Sequence, residues 1–312
     1  MDTIYFDNAA TTPIKTEVLN EMIPYLTKEY GNASSLYTIG RNAKRAIENA
    51  RKQVAELINC KPNEIFFTGS GSESDNTAIK GYAYANKEKG NHIITSKIEH
   101  PAVIETCKNL EKHGYEVSYI DVDEEGILKL DELEKNIKNT TILISIMFAN
   151  NEIGTIQPIE EISKIAHSRN ITFHTDAVQA LGNTLIDVER QKIDMLSLSG
   201  HKINAPKGIG ALYIKDGIEV EKFINGGHQE KDKRAGTENV AGIIGLGKAC
   251  QIANRNMEKH IKYLKKLRDY YIDRLKKEFS EKIRINGSME KRLPGNANIS
   301  FKHVDGEALL LN

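Results

Sequence analysis

Short apolar runs alternate with amphipathic stretches along almost the whole of this chain. Continuous apolar or β-branched runs predict strands at 64–68, 92–96, 116–122, 141–148, 171–175, 195–199 and 210–214. Between them, apolar residues at helical spacing predict helices over 41–57, 74–89, 102–113, 130–136, 159–168 and 240–254. Strands and helices in alternation imply an α/β fold with a mainly parallel sheet. Ligands of such sheets gather at the carboxyl ends of the strands. Residues 70–72, His100, Asn151, Asp176 and Lys202 each follow an expected strand, as the walls of one pocket would.

A long helical stretch comes next, with Ile261, Leu264, Leu267, Tyr271, Leu275 and Phe279 on one apolar face. Residues 284–286 and 297–301 then read as strands separated by a Gly- and Pro-containing loop. Asp305 is the expected N-cap of a final helical turn. This pattern divides the chain into a large domain, 16–255, and a smaller α+β domain built from 1–15 and 256–312.

Charge adds mostly exclusions. With 43 basic and 43 acidic residues the formal net charge is zero, so there is no field for nucleic acid and no acidic tail. No apolar run approaches the length of a membrane span, and the first residues have no signal-peptide character. The three cysteines, Cys60, Cys107 and Cys250, are scattered and make no metal-ligand spacing, so no metal is expected. They are expected to be structural thiols of a cytoplasmic protein.

The candidate chemistry centres on Ser199-Gly200-His201-Lys202, where an apolar run delivers a lysine between small and polar residues. A lysine so held can form a Schiff base with a carbonyl cofactor such as pyridoxal 5'-phosphate (PLP). Asp176 ends the preceding apolar run, and a carboxylate at a pyridine nitrogen favours its protonated form. The bland reading of Asp176 is a helix N-cap. Gln179 has an amide that can donate to the ring's phenolic oxygen. Thr68-Gly-Ser-Gly-Ser-Glu-Ser-Asp75 joins a strand to a helix, and its N–H groups and hydroxyls suit a phosphate as well as they suit an ordinary capped turn. His100 precedes a proline that can open a helix; the bland reading is a satisfied turn residue, while an imidazole's pKa range also suits proton transfer. Asn151 reads as a loop residue or as a donor to the ring oxygen or a substrate carboxylate.

Eight ordered motifs carry a resemblance: Tyr5-Phe-Asp-Asn-Ala-Ala-Thr-Thr-Pro13, Tyr30-Gly-Asn-Ala-Ser-Ser35, Ser72-Glu-Ser-Asp-Asn76, Glu99-His-Pro101, Asn150-Asn-Glu-Ile-Gly154, His174-Thr-Asp-Ala-Val-Gln179, Ser199-Gly-His-Lys202 and Arg234-Ala-Gly-Thr-Glu-Asn239. From residue 5 to Leu311 the chain resembles the NifS/IscS-like cysteine desulfurases of the class V aminotransferase group. The resemblance implies PLP fold type I, with a mainly parallel seven-stranded sheet and a homodimer. It implies L-cysteine as substrate and alanine as product, with sulfur passed to an enzyme cysteine for an iron–sulfur scaffold or another acceptor. By resemblance Gly71, Ser72, Ser199 and His201 take the phosphate, and Thr237 reaches it across the dimer interface. His100 lies on the ring and assists proton transfer; Lys202 holds the cofactor and then moves the α-proton.

The family's persulfide-forming cysteine lies on a loop beyond the motif at 304–311, and its carboxylate-clamping arginine lies further still. None of the three cysteines here matches that position. The expectation is a C-terminally truncated desulfurase that binds PLP and is impaired in sulfur transfer. The alternatives are a PLP aminotransferase or lyase that needs no cysteine, and a non-catalytic PLP-binding remnant.

Overall fold

The computed structural model describes residues 4–311. Its main sheet holds seven strands: β1 Ile65–Thr68, β2 His92–Ser96, β3 Glu116–Ile120, β4 Thr141–Ser145, β5 Thr172–Asp176, β6 Met195–Ser199 and β7 Gly210–Ile214. Their order is β1-β7-β6-β5-β4-β2-β3, and only β7 runs against its neighbours. The expected sheet is therefore present, three of its strands with the expected bounds. β4 stops three residues early, but its continuation stays beside β5: Ile146 N–H donates to His174 O (3.1 Å) and Phe148 N–H to Asp176 O (2.8 Å).

Alternate strand residues serve opposite layers, as a sheet covered by helices on both faces requires. Ile65 and Phe67 of β1, Ile94 of β2 and Ile144 of β4 face one apolar cluster. Phe66, Ile93 and Leu143 face the other. The Thr38–Ile58 helix packs on the first side. There Gly247 permits backbone contact, since a Cβ at that position would stand 2.6 Å from Ala50 Cα.

Two helical expectations change, and one helix is unexpected. Residues 74–89 are not one regular helix: α-turns Gly71–Asn76 and Tyr82–Ala85 flank a π-helical segment, Thr77–Gly81, and a 3-10 turn, Lys87–Lys89, follows. Thr77 Oγ1 bonds back to Glu73 O at 2.8 Å, a side-chain bond that competes with the regular ladder. The stretch from 240 is a single 40-residue helix, Val240–Phe279, running through residue 255, where the pattern places a domain boundary. A further helix, Thr16–Thr27, is unannounced by the pattern. It buries Val18 and Met22 but exposes Leu19, Ile23 and Leu26, so it shows no clean apolar stripe.

The second, two-stranded sheet pairs β8 Ile283–Ile285 with β9 Ile299–Phe301 in antiparallel register. Asp305 Oδ1 accepts from Glu307 N–H (3.0 Å) and Ala308 N–H (3.1 Å), the expected cap on the Gly306–Leu311 turns. No helix among the described residues is long and apolar enough to cross a membrane.

Candidate active site

A cavity of about 520 Å³ opens where β5 and β6 end. Its walls include every expected site residue except Thr237: Gly71, Ser72, His100, Asn151, Asp176, Gln179, Ser199, His201 and Lys202. Thr237 is exposed and lines a separate hollow with Thr68, Gly69 and Arg234, so one chain alone does not bring it to the cavity.

Lys202 closes the 3-10 turn Gly200–Lys202 directly after β6. Gly200 permits the turn, because a Cβ there would meet Ile209 Cγ2 at 2.9 Å. Nζ donates to Ala9 O and, at 2.9 Å, to Ala10 O. Burial lowers the Lys202 pKa, while Asp7, Asp176 and Glu152 pull it back up. The same N-terminal strap holds His201: Nδ1 lies 3.1 Å from Thr11 Oγ1, and Thr12 N–H donates to His201 O at 2.9 Å. Gln179 Nε2 also spends a proton on this strap, at Ala9 O (2.9 Å). The strap belongs to the motif at 5–13, but its part in the site was not legible, because Ala9 and Ala10 offer backbone carbonyls, which no residue type announces.

Asp176 is the last residue of β5 and is 7% exposed. Its Oδ1 accepts from Val178 N–H at 2.9 Å. No helix follows it, only turns, so the bland reading as a helix N-cap fails. Burial raises its pKa; the Val178 bond and the charges of His100 and Lys202 oppose that.

Around 70–72 the backbone is arranged for an anion. Ser70 caps the helix, its Oγ accepting from Glu73 N–H at 3.1 Å and its carbonyl from Ser74 N–H at 3.1 Å. The N–H groups of Gly71 and Ser72 precede the first turn's bonds and have no intrahelical acceptor. A side chain at Gly71 would force a shift: a Cβ would stand 2.7 Å from Val178 Cγ2 and 3.4 Å from Ser199 Cβ. Behind this cradle Glu73 accepts from Gly69 N–H (2.8 Å) and pairs with Arg234 Nε (2.9 Å).

His100 is itself an N-cap: Nδ1 accepts from Ala102 N–H at 3.1 Å. That bond leaves Nε2 as the nitrogen free to carry a proton in the cavity wall. Asn151 lines the cavity too, its Nδ2 donating to Glu152 Oε1 at 2.7 Å. The sequence reading missed Asp75, which also lines the cavity, and Glu99, whose Oε1 accepts from Ser96 Oγ–H (2.7 Å) and Met147 N–H (2.8 Å). Spacing held a clue for Asp75: four residues after Gly71, it falls on the same face of the helix.

None of the three cysteines lines the cavity. Cys107 and Cys250 are buried and Cys60 half-buried. Burial pushes the Cys107 thiol up to about 12 and the other two upward as well, the opposite of an activated nucleophile.

The residues present fit PLP group by group. There are open N–H groups for a phosphate, a buried carboxyl for a pyridine nitrogen and a partly desolvated amine for a carbonyl carbon. The strand order and this cavity at the carboxyl ends of the central strands define a PLP fold-type-I protein. The pattern of the family described as "Aminotransferase class-V" matches residues 4–311. "Cysteine desulfurase IscS" of Methanosarcina thermophila is 54% identical over 308 residues, covering 99% of this chain and 76% of that protein. The protein of that name from Clostridium botulinum is 52% identical over 311 residues, covering 99% and 78%. A solved "NIFS-LIKE PROTEIN" superposes with a TM-score of 0.95 at 40% identity, covering 99% of this chain and 84% of that one. Another, "SspA in complex with cysteine", gives 0.85 at 38% identity over 96% and 84%. The chain belongs to the cysteine desulfurases of the IscS/NifS kind.

Proposed function

We propose that this chain binds PLP in the cavity and works on L-cysteine, yielding alanine and sulfur for an iron–sulfur scaffold or another acceptor protein. The observation that carries the reading is the convergence of Lys202, Asp176 and the 70–72 cradle on one cavity. When bound, the cofactor supplies an electron sink for charge that develops at a substrate α-carbon. Gly71 and Ser72 hold the phosphate through their N–H groups, with Ser199 and His201 beside them. Asp176 supports a positive ring nitrogen, and Gln179 and Asn151 serve the ring oxygen or the substrate carboxylate after leaving their present partners. Lys202 holds the cofactor through Nζ and, once displaced by substrate, takes the α-proton. Its lowered pKa suits a base. His100 carries protons at Nε2.

The same proposal includes a homodimer in which Thr237 reaches the partner's phosphate site, a large domain 16–255 with a smaller one from 1–15 and 256–312, and a cytoplasmic setting. Sulfur transfer needs a thiolate at the cavity, and Cys60, Cys107 and Cys250 stand away from it with raised pKa values. These 312 residues alone therefore perform the proton chemistry and pass little sulfur.

The test is incubation with PLP and L-cysteine in deuterium oxide. We expect deuterium at the α-carbon of recovered cysteine, with sulfide and alanine far below one turnover per minute. A keto acid with pyridoxamine phosphate would instead show an aminotransferase. No exchange in a protein that retains the cofactor would show a non-catalytic remnant.

A further inference from the structure

Two buried carboxyl groups, Asp75 and Glu99, have no part in the reading above. Asp75 is 1% exposed and lines the cavity with Asp176. Its Oδ1 has no hydrogen-bond partner among the described residues, and the nearby ring nitrogen His174 Nε2 is 3.8 Å away. His174, two positions before Asp176 in β5, is engaged by hydroxyls at both nitrogens, Ser145 Oγ at 2.8 Å and Ser197 Oγ at 3.0 Å. Burial drives its pKa down to about 3, so it offers Asp75 no positive charge. Glu99 is 7% exposed; its Oε1 is satisfied twice, while Oε2 has no partner.

Three buried carboxyls, from the Gly71–Asn76 helix, the loop after β2 and the end of β5, thus make one floor: Asp75 and Asp176 line the cavity, Glu99 bonds the wall residue Met147, and Asp176 acts on both of the others. The groups facing them that can bear positive charge are His100 and Lys202, and both act on Asp176. Like charges buried together resist ionising together, and an oxygen without a donor, as on Asp75 and Glu99, leaves the anionic form unsupported. Burial raises Asp75 well above the usual carboxylate range, with Asp176 and Glu99 adding to the effect and a Ser197 hydrogen bond opposing it; burial lifts Glu99 to about 8 against the bonds from Ser96 and Met147.

We propose that Asp75 and Glu99 are positioning residues that stand as neutral carboxylic acids and reserve the floor's negative charge for Asp176. The consequence at the ring nitrogen rests on the cofactor reading; the protonation pattern does not. An acid in these two places lets Asp176 face a cationic ring without competing anions, and without the loss of packing that an apolar residue would bring.

Infrared spectroscopy of the full chain, without and with PLP, tests this. At pH 7 the wild-type protein should show the carbonyl band of protonated carboxylic acids, part shifting with ¹³C-aspartate and part with ¹³C-glutamate. Asp75→Asn should remove the aspartate part and Glu99→Gln the glutamate part, while Asp176→Asn removes neither. The glutamate part should titrate away near pH 8 in the wild type, a readout that needs no variant. Asp75→Asn, a neutral mimic, should keep PLP affinity within about threefold, and Asp176→Asn should lose tenfold or more. Absence of the band at pH 7, or an aspartate part lost with Asp176→Asn and kept with Asp75→Asn, overturns the proposal. Bands as described in a protein that never retains PLP would support it and sink the cofactor reading instead.

Discussion

Lys202, Asp176 and Glu99 show how burial assigns each ionisable group its part. Desolvation pushes a lysine down and a carboxyl up, and the neighbours decide how far each goes. Lys202 keeps three carboxylates near it and remains exchangeable; Glu99 has two donors on one oxygen and none on the other. A sign follows for stability. Glu99 in the unfolded chain ionises near the ordinary glutamate value of 4.5, whereas in the folded protein it keeps its proton to about 8. Between those limits the folded state binds more protons than the unfolded one, so stability falls as pH rises, by up to about 1.4 kcal/mol per pH unit from this group. Denaturant unfolding of Glu99→Gln from pH 5 to 8 should show a shallower fall than the wild type. An unchanged slope would mean that Glu99 is ionised in the folded protein. Lys202 and Asp176 were legible in the sequence because each stands at the end of an apolar run. Asp75 and Glu99 were not, since a carboxyl in Ser-Glu-Ser-Asp or Ile-Glu-His-Pro looks solvated until the layers close over it.

Elements set how closely the site's walls approach one another. The cradle at 70–72, the turn after β5 and the turn after β6 meet where Gly71 faces Val178 and Ser199. Gly71→Ala should push the Val178 loop away and weaken PLP binding about tenfold in equilibrium titrations, and Val178→Ala in that background should restore most of it. Failure of the second change to rescue would show that the glycine is needed for another reason. Behind the cradle the chain takes three consecutive left-handed residues, Glu230, Lys231 and Asp232, each with φ between 46° and 67°. Such residues cost about 1–2 kcal/mol apiece. A buried pair offsets this: Glu230 accepts from Arg51 at 2.7 and 2.8 Å and from Phe67 N–H at 2.7 Å, fastening the segment to β1. The strands were legible because most of the sheet is covered on both faces, so short runs rich in apolar and β-branched residues mark them, although β3 and β5 carry polar residues as well. The Thr16–Thr27 helix and the left-handed segment were not, because long-range contacts sustain both: the first packs Met22 against Gly245, the second holds a buried ion pair.

Across the molecule, the sheet gathers segments from residue 7 to residue 202 around one cavity. The resemblance to cysteine desulfurases reaches the whole chain at about half identity, so sheet order and site positions follow together. Lys202 and the cysteines separate two functions that the family name joins. The lysine sits in the cavity, whereas the three thiols sit elsewhere. Cofactor capture is thus the claim on which the rest depends. The direct measurement is to equilibrate the protein with PLP, reduce it with borohydride and locate the pyridoxyl label by mass spectrometry of peptides. One label per chain, on Lys202 and absent from Lys202→Arg, is the predicted result. Labels spread over surface lysines, in a pattern that Lys202→Arg leaves unchanged, would contradict the account.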